Sequence, residues 1–306
     1  MRLDRFLTLW IFRPWRALVP ATGPRLPVLM YHSISDDPEP TFSPYYKVCT
    51  SPQRFAEHMQ WLADDGYRGV TLSEGLAALG KEESDKEQGP GRETDSNRNP
   101  NSAFKKQKLV AITFDDGFRD FHTAAAPILR KHGFTATMYL PTAFIGDERK
   151  SFKGRECLTW EEVRELQGAG MEFGSHTVNH PVLVKLGWPE IETELRDSKA
   201  TLERRLGEPT RAFAYPFAFP QANRPFCTRF LEVVQATAYE SCVTTDIGTF
   251  KSGNNPLQVK RLPANSADDK ALFRAKLAGA YSWIAAPQKA VKHFKSLRLQ
   301  RSPQAT

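Results

Sequence analysis

The sequence lacks the cysteine pattern of a disulfide scaffold or a zinc knuckle. Its four cysteines are far apart, and no Cys-x-x-Cys pair occurs. It also lacks any run of about 18 or more apolar residues, the length that an α-helix needs to cross a bilayer. These absences argue against a disulfide-stabilised domain and against a transmembrane enzyme. The 306 residues are 40% hydrophobic and 25% charged, ordinary values for a globular protein with one large core or two small ones.

One internal segment has almost nothing to bury. Residues 81–102 contain no Val, Ile, Leu, Met, Ala or aromatic residue, so they cannot contribute to a core. We expect a disordered insertion over residues 81–106, inside a main domain that covers residues 27–284. Residues 1–26 and 285–306 then form an apolar and basic N-terminal extension and a basic C-terminal tail.

The net charge of +7 belongs to these two ends. Residues 1–18 carry +3 and residues 285–306 carry +5, which leaves about −1 for the rest. This distribution argues against a nucleic-acid groove and favours contact with an anionic membrane surface through the basic tails. Val291, Phe294 and Leu297 alternate with basic residues, a spacing that fits either a basic amphipathic helix on lipid or a solvated tail.

The N-terminal apolar run, residues 6–12, is a poor secretory signal. Asp4 precedes it, Arg13 and Arg16 follow it, and no small-residue cleavage site is evident. We therefore predict a cytoplasmic location, with association at the inner face of the membrane.

Short apolar runs alternate with amphipathic helices along the main domain. We predict strands at residues 28–31, 109–114, 135–140, 172–175 and 212–215, with helices between them. Ser51 before Pro52 and the capping box Thr159-Trp160-Glu161-Glu162 mark helix starts. This order predicts a mostly parallel α/β sheet, open or closed into a barrel, with loops after the strands available for a site.

Two adjacent acids, Asp115 and Asp116, follow the apolar strand that ends at Phe114. Acids at the mouth of a buried strand are costly unless they are paired or bind metal, and Gly117 lets the chain leave the strand there. Alone, the motif also fits a solvated strand end with an Asp-Gly turn.

His176 and His180 come just after another predicted strand. A spacing of four residues, one helical turn, places both imidazoles on one side, although two such histidines also occur without a metal. With Asp116 they make two nitrogens and one carboxylate oxygen. Three protein ligands leave positions open for water and substrate, as in a catalytic metal site.

A third motif runs from Arg211 through Tyr215-Pro216-Phe217. Arg211 is either a surface charge or the partner that orients Asp115 and keeps it ionised. Pro216 would fix a turn in which the backbone N–H of Phe217 points at an oxyanion.

Together these motifs resemble the polysaccharide deacetylase superfamily, the carbohydrate esterase family 4 or NodB-homology group. The similar residues are Thr113–Gly117, the Ser-His-Thr-x-x-His-Pro run at 175–181 and Tyr-Pro-Phe at 215–217, and the likeness covers about residues 27–263. The resemblance implies a distorted (β/α) barrel with mostly parallel strands. It also implies Asp115 as catalytic base and a divalent metal, zinc or else Co, Mn or Ni, bound by Asp116, His176 and His180.

The resemblance further implies that Arg211 tunes Asp115 and that the Phe217 amide forms the oxyanion hole. The chain departs from the family in lacking the late Leu-x-His and Asp-x-x-Trp motifs, since Leu262-Pro263-Ala264 stands at the first of these. His32, in an early Tyr-His motif, supplies the general acid if the barrel is circularly permuted. Otherwise it is a structural or substrate-contacting histidine.

The predicted function is therefore metal-dependent removal of N-acetyl groups from amino sugars of a polysaccharide or a lipid-linked glycan. Three alternatives keep the scaffold: an amidohydrolase or deformylase acting on another substrate, an O-acetyl esterase, and a noncatalytic glycan-binding relative. The last has no need for a base beside a metal, so Asp115 argues against it.

Overall fold

The protein is a parallel β-barrel wrapped by helices, and the computed structural model describes residues 2–19, 23–39, 47–87 and 108–289, with the side chains of 82–87 left out. The strands are β1 Arg25–Leu26, β2 Val28–Tyr31, β3 Ser33–Ile34, β4 Cys49–Thr50, β5 Tyr67–Val70, β6 Lys108–Phe114, β7 Thr137–Leu140, β8 Ser151–Phe152, β9 Arg155–Glu156, β10 Glu172–Ser175, β11 Ala212–Ala214, β12 Ser241–Ile247, β13 Phe250–Lys251 and β14 Val259–Pro263.

Seven parallel strands close the barrel in the order β2-β14-β12-β11-β10-β7-β6, and β6 returns to β2. Strand β5 pairs with the first half of β6, on the edge that β7 occupies further along. The closed, mostly parallel barrel confirms the predicted fold class. Because the strands are parallel, the residues that follow them meet at one end of the barrel.

The helices are α1 Leu3–Leu7, α2 Arg13–Leu18, α3 Pro52–Asp64, α4 Leu72–Glu87, α5 Ala126–Lys131, α6 Trp160–Gly168, α7 Trp188–Leu206, α8 Arg224–Ala236 and α9 Lys270–Leu277. The predicted caps are present: Ser51 Oγ accepts from the Arg54 N–H, and Thr159 and Glu162 form the capping box. A π-helical turn, Thr8–Phe12, joins α1 to α2.

The two faces of β6 show how the core is divided. Val110, Ile112 and Phe114 belong to a large cluster that includes side chains of α3 and α5. Ala111 belongs to a smaller cluster with other strand residues, among them Tyr139 and Ala212. Small inward side chains leave room for Tyr139, and a Cβ on Gly174 would lie 2.6 Å from its ring. The alternation of β6 therefore fills the barrel on one side and anchors helices on the other.

The insertion predicted over residues 81–106 is wrong at its start, because α4 continues to Glu87. Lys and Glu favour helix even where they have nothing to bury, which a search for apolar residues overlooks. Residues 88–107 lie outside the described residues, as does the predicted amphipathic stretch from Val291 to Leu297. Within the described ranges, no helix is both long and apolar enough to cross a membrane. The division into domain and extensions stays a prediction.

Candidate metal centre and active site

Pairing of β2 with β6 brings His32 and Asp115 together. Tyr31 lies opposite Phe114 in this register, so the two following residues leave the barrel side by side. The Asp115 N–H donates to the Tyr31 carbonyl at 3.1 Å, and His32 Nε2 lies 3.8 Å from Asp115 Oδ2. Two side chains remote in sequence therefore share one end of the barrel, as the sequence predicted if His32 serves the site.

Asp115 is held by an arginine that the sequence analysis missed. Arg261 donates from both terminal nitrogens to the two Asp115 oxygens at 2.7 and 2.8 Å, and from Nε to the Thr244 carbonyl at 3.0 Å. Both side chains are almost fully buried. Burial alone would raise the pKa of Asp115, but Arg261 and then His176 lower it to about 2. Asp115 is therefore an ionised, fixed carboxylate at neutral pH.

The predicted pairing of Arg211 with Asp115 is wrong. Arg211 precedes β11, its side chain is 56% exposed, and it lies 3.3 Å from Glu240. The reason is direction: Arg211 is at the amino end of a parallel strand, whereas the acids lie at the carboxyl ends. Arg261 follows Lys260 inside β14, Val259–Pro263, and no feature of the sequence distinguishes this buried cation from its exposed neighbour.

Asp116, His176 and His180 converge as the sequence predicted. One ligand atom from each lies within 4.8 Å of the others, and all three residues are buried. His180 Nε2 is 3.2 Å and His176 Nε2 is 3.7 Å from Asp116 Oδ1. His176 Nδ1 contacts the Ala214 carbonyl at 2.8 Å, which places its proton there and leaves the Nε2 lone pair directed at the cluster.

The two histidines meet by a different route from the predicted helical turn. Residues 176–182 are not helical, and Thr177 and His180 have φ of 70° and 53°. Thr177 Oγ1 accepts from the His180 N–H at 2.9 Å, while one carboxylate oxygen of Glu194 accepts from the Val178 and Asn179 N–H groups. Glu194, on α7, is thus a positioning residue that the sequence analysis did not find.

The donor set fits a divalent cation. Asp116 Oδ1, the oxygen that both imidazoles face, is buried and has no hydrogen-bond partner among the described residues. Burial and then His180 lower the pKa of His176 to about 3, so its imidazole is neutral, as a ligand must be. Burial opposes ionisation of Asp116, but the polar contact with His180 and the charges of His32 and Lys153 hold its pKa well below the usual range. Two neutral nitrogens and a carboxylate suit zinc and similar metals.

Two further side chains form the rim. Lys153, in the turn between β8 and β9, donates to Asp116 Oδ2 at 3.0 Å, and nothing in the sequence pointed to it. Phe217 follows β11 with φ of 58°, and its ring lies 4.5 Å from that of His180. The predicted loop therefore reaches the centre, and Lys153 Nζ lies 5.4 Å from the Phe217 ring. The role of the Phe217 amide as an oxyanion donor stays a prediction.

The barrel and the site together define a known class: the chain belongs to the polysaccharide deacetylase family, whose members are hydrolases of non-peptide carbon–nitrogen bonds. A sequence model of that family matches residues 103–236. The expected resemblance is thereby confirmed.

Individual relatives agree with this assignment. YxkH of Bacillus subtilis, assigned to the polysaccharide deacetylases, is 30% identical over 73% of this chain and 66% of its own. A poly-β-1,6-N-acetyl-D-glucosamine N-deacetylase of Staphylococcus aureus is 25% identical over 55% of this chain and 53% of its own. The chain thus spans about two thirds of the first and half of the second. The solved deacetylase PplD of Streptococcus pyogenes is 27% identical, with a TM-score of 0.64 over 84% of this chain and 99% of that one.

Proposed function

We propose that the protein is a divalent-metal-dependent hydrolase that removes N-acetyl groups from the amino sugars of a glycan. The observation that carries the proposal is the convergence of a metal-ligand triad with a second, arginine-bound carboxylate and a histidine at one end of the barrel. A glycan-binding protein has no need for that second carboxylate. The relatives support the proposed substrate class, since one of them is named for poly-β-1,6-N-acetyl-D-glucosamine.

Asp116, His176 and His180 would hold the metal. When bound, a divalent cation supplies a Lewis acid and makes water acidic enough to be deprotonated near neutral pH. Asp115 is suited to accept that proton because Arg261 keeps it ionised and fixes both oxygens. The two hydrogen bonds from Arg261 also prevent the Asp115 carboxylate from rotating towards the metal triad and becoming a further ligand.

The departing sugar amine needs a proton, and His32 is placed to donate it. Its Nε2 lies 3.8 Å from Asp115, so base and acid face the same space. Burial lowers the pKa of His32, so its imidazole is neutral at rest near pH 7 and is a strong acid towards the amine once it has taken up a proton. The exposed ring of Phe217 adds an apolar surface at the rim on which a sugar ring can pack.

The experiment is release of acetate from β-1,6-linked and β-1,4-linked N-acetylglucosamine oligomers by metal-loaded protein. Asp115→Asn should reduce kcat by more than about 100-fold and leave metal content unchanged, because it removes the base and no ligand. His176→Ala should lose the metal. Arg211→Gln, the matched surface change, should alter neither kcat nor metal content. Full turnover by Asp115→Asn would remove the basis of the mechanism. Release of formate would identify the protein as a deformylase, and release of acetate from O-acetyl esters only would identify it as an esterase.

The lipid-linked substrate, the peripheral membrane contact through the basic tails and the cytoplasmic location remain part of this proposal. Their support is the charge of the two ends of the chain. Partition of the full chain between membrane and supernatant after cell breakage tests them.

A further inference from the structure

The N-terminal helical segment, residues 3–18, is attached to the barrel by one face only. Tyr281 donates to Asp4 Oδ2 at 2.9 Å, and Trp283 Nε1 donates to Thr8 Oγ1 at 3.0 Å. The ring of Phe12 stacks on Trp283 at 5.0 Å. These contacts fix the orientation of the segment and so determine which side chains point away from the protein.

The side that points away is apolar. Of the ten large hydrophobic residues that are exposed among the described residues, seven lie in this short region: Leu3, Phe6, Trp10, Ile11, Trp15, Leu18 and Val19. The steps from 3 to 6, 6 to 10, 11 to 15 and 15 to 18 are three or four residues and match successive helical turns, and the π-helical turn Thr8–Phe12 lies in the middle of this run. Trp10, Trp15 and Leu18 are 70%, 62% and 80% exposed. So many exposed apolar side chains in one place indicate a binding surface.

Six cations lie beside this surface, and two of them, Arg13 and Lys108, line a further cavity together with Asp65. Two adjoining cavities, of about 660 and 440 Å³, share Arg16 and Arg25. Arg13 and Lys108 also line the first, and Lys251 and Lys260 the second, while neither has an Asp or Glu among its described lining residues. Four of these six cations lie outside the N-terminal extension's helices, so the feature is built by the fold and not by a charged tail alone.

Arg16 and Arg25 converge at one point, next to Gly279. A Cβ on Gly279 would lie 3.4 Å from Arg25 Nη1 and 3.7 Å from Arg16 Nη2. Arg25 Nε is buried without a hydrogen-bond partner among the described residues, and burial together with Arg16 lowers the pKa of Arg25. Two like charges brought together, with a donor left unpaired, are stabilised when an anion binds between them.

We propose that Arg16 and Arg25 bind the phosphate of an anionic phospholipid headgroup while the apolar side of residues 3–19 enters the membrane interface. The tryptophans favour this occupant over free phosphate, because Trp partitions to the headgroup region and a soluble anion makes no use of them. Lys108 starts β6 and Asp115 follows its end, so this surface lies on the order of 20 Å from the site. Docking would thus leave the active site open to a glycan.

The test is cosedimentation of the full chain with phosphatidylcholine vesicles, with and without about 30% phosphatidylglycerol. Arg16→Gln and Arg25→Gln should each weaken binding to the anionic vesicles about fivefold, and the pair about 25-fold. Trp10→Ala with Trp15→Ala should weaken binding to both vesicles. Arg196→Gln, which removes an exposed arginine on α7, should change nothing. Melting temperatures confirm that each variant is folded.

Binding to anionic vesicles that the double arginine variant retains would overturn the proposal. Binding of free phosphate alone would also overturn it. In that case inorganic phosphate would raise the melting temperature of the parent but not of the double arginine variant, and the parent would not bind vesicles. Because no readout depends on turnover, the hydrolytic function can fail and leave this result intact. Loss of vesicle binding above about 0.5 M salt would support the role of the arginines, and weak binding by the tryptophan variant at low salt would support the role of the apolar side.

Discussion

Replacing Arg261 by Met tests the most consequential contact at the site. The change removes both charged donors from Asp115, which is then left as a buried, unpaired carboxylate. The present shift of the Asp115 pKa, from 3.8 to about 2, corresponds to roughly 2 kcal/mol in favour of the folded state at neutral pH. Arg261→Met loses this contribution and leaves the charge of Asp115 buried without a partner, so it should lower the free energy of unfolding by about 3 to 5 kcal/mol.

The pH dependence identifies the cause. In the parent, the folded-state pKa of Asp115 is lowered, so its contribution is present above about pH 4 and is lost as the pH falls towards 2. In Arg261→Met, burial should instead raise that pKa above its unfolded value, so the penalty is largest at high pH and is relieved by protonation. The difference in free energy of unfolding between parent and variant should therefore shrink as the pH falls from 7 to 4.5.

Urea unfolding of metal-stripped protein at the two pH values measures this, with Arg211→Met as the matched control. Arg211 is exposed, so its replacement should change stability by less than about 0.5 kcal/mol. Asp115→Asn combined with Arg261→Met should recover part of the loss, since neither charge is then buried alone. A larger effect at Arg211 than at Arg261, or a loss independent of pH, would refute the assignment.

Two other side chains give independent predictions. His58 is buried against Phe273, and burial lowers its pKa to about 4, so the unfolded state binds the proton first and stability should fall by about 3 kcal/mol as the pH drops from 6.5 to 4. His58→Gln should flatten that slope in urea unfolding, and an unchanged slope would exclude His58. Lys153→Met should tighten Co²⁺ binding severalfold in an absorbance titration, because it removes a cation from Asp116. Weaker binding would show that Lys153 positions that carboxylate instead.

The part of the site that sequence predicts well is the part attached to strand ends. Asp115, Asp116 and His176 each follow a predicted strand, and parallel strands bring such positions to one end whatever the order of the strands. His32 follows β2 and reaches the same end by the same rule, but its place directly beside Asp115 depends on the pairing of β2 with β6. The family resemblance provided that expectation through the early Tyr-His motif.

Arg211 and Arg261 show where sequence reasoning fails. Arg211 precedes the short strand β11 and Arg261 lies inside β14, and nothing local distinguishes these two cations. The distinction comes from the pairing of β14 between β12 and β2, which points Arg261 inward at Asp115. Long-range pairing of this kind has no periodic signature, so a partner for a buried charge is the last feature that a single sequence reveals.

The backbone strain at the site also depends on long-range contacts. Six non-glycine residues have positive φ among the described residues, and five of them, Asp116, Lys153, Thr177, His180 and Phe217, surround the metal centre. Each costs on the order of 1 to 3 kcal/mol, and for the β-branched Thr177 the conformation is a true outlier. The local sequence alone favours negative φ at all five residues. The closed barrel, and contacts such as those of Glu194 with the Val178 and Asn179 N–H groups, must therefore hold the positive φ angles in place. The ligands are therefore preorganised by the fold, because the metal alone would have to overcome that strain in every loop at once.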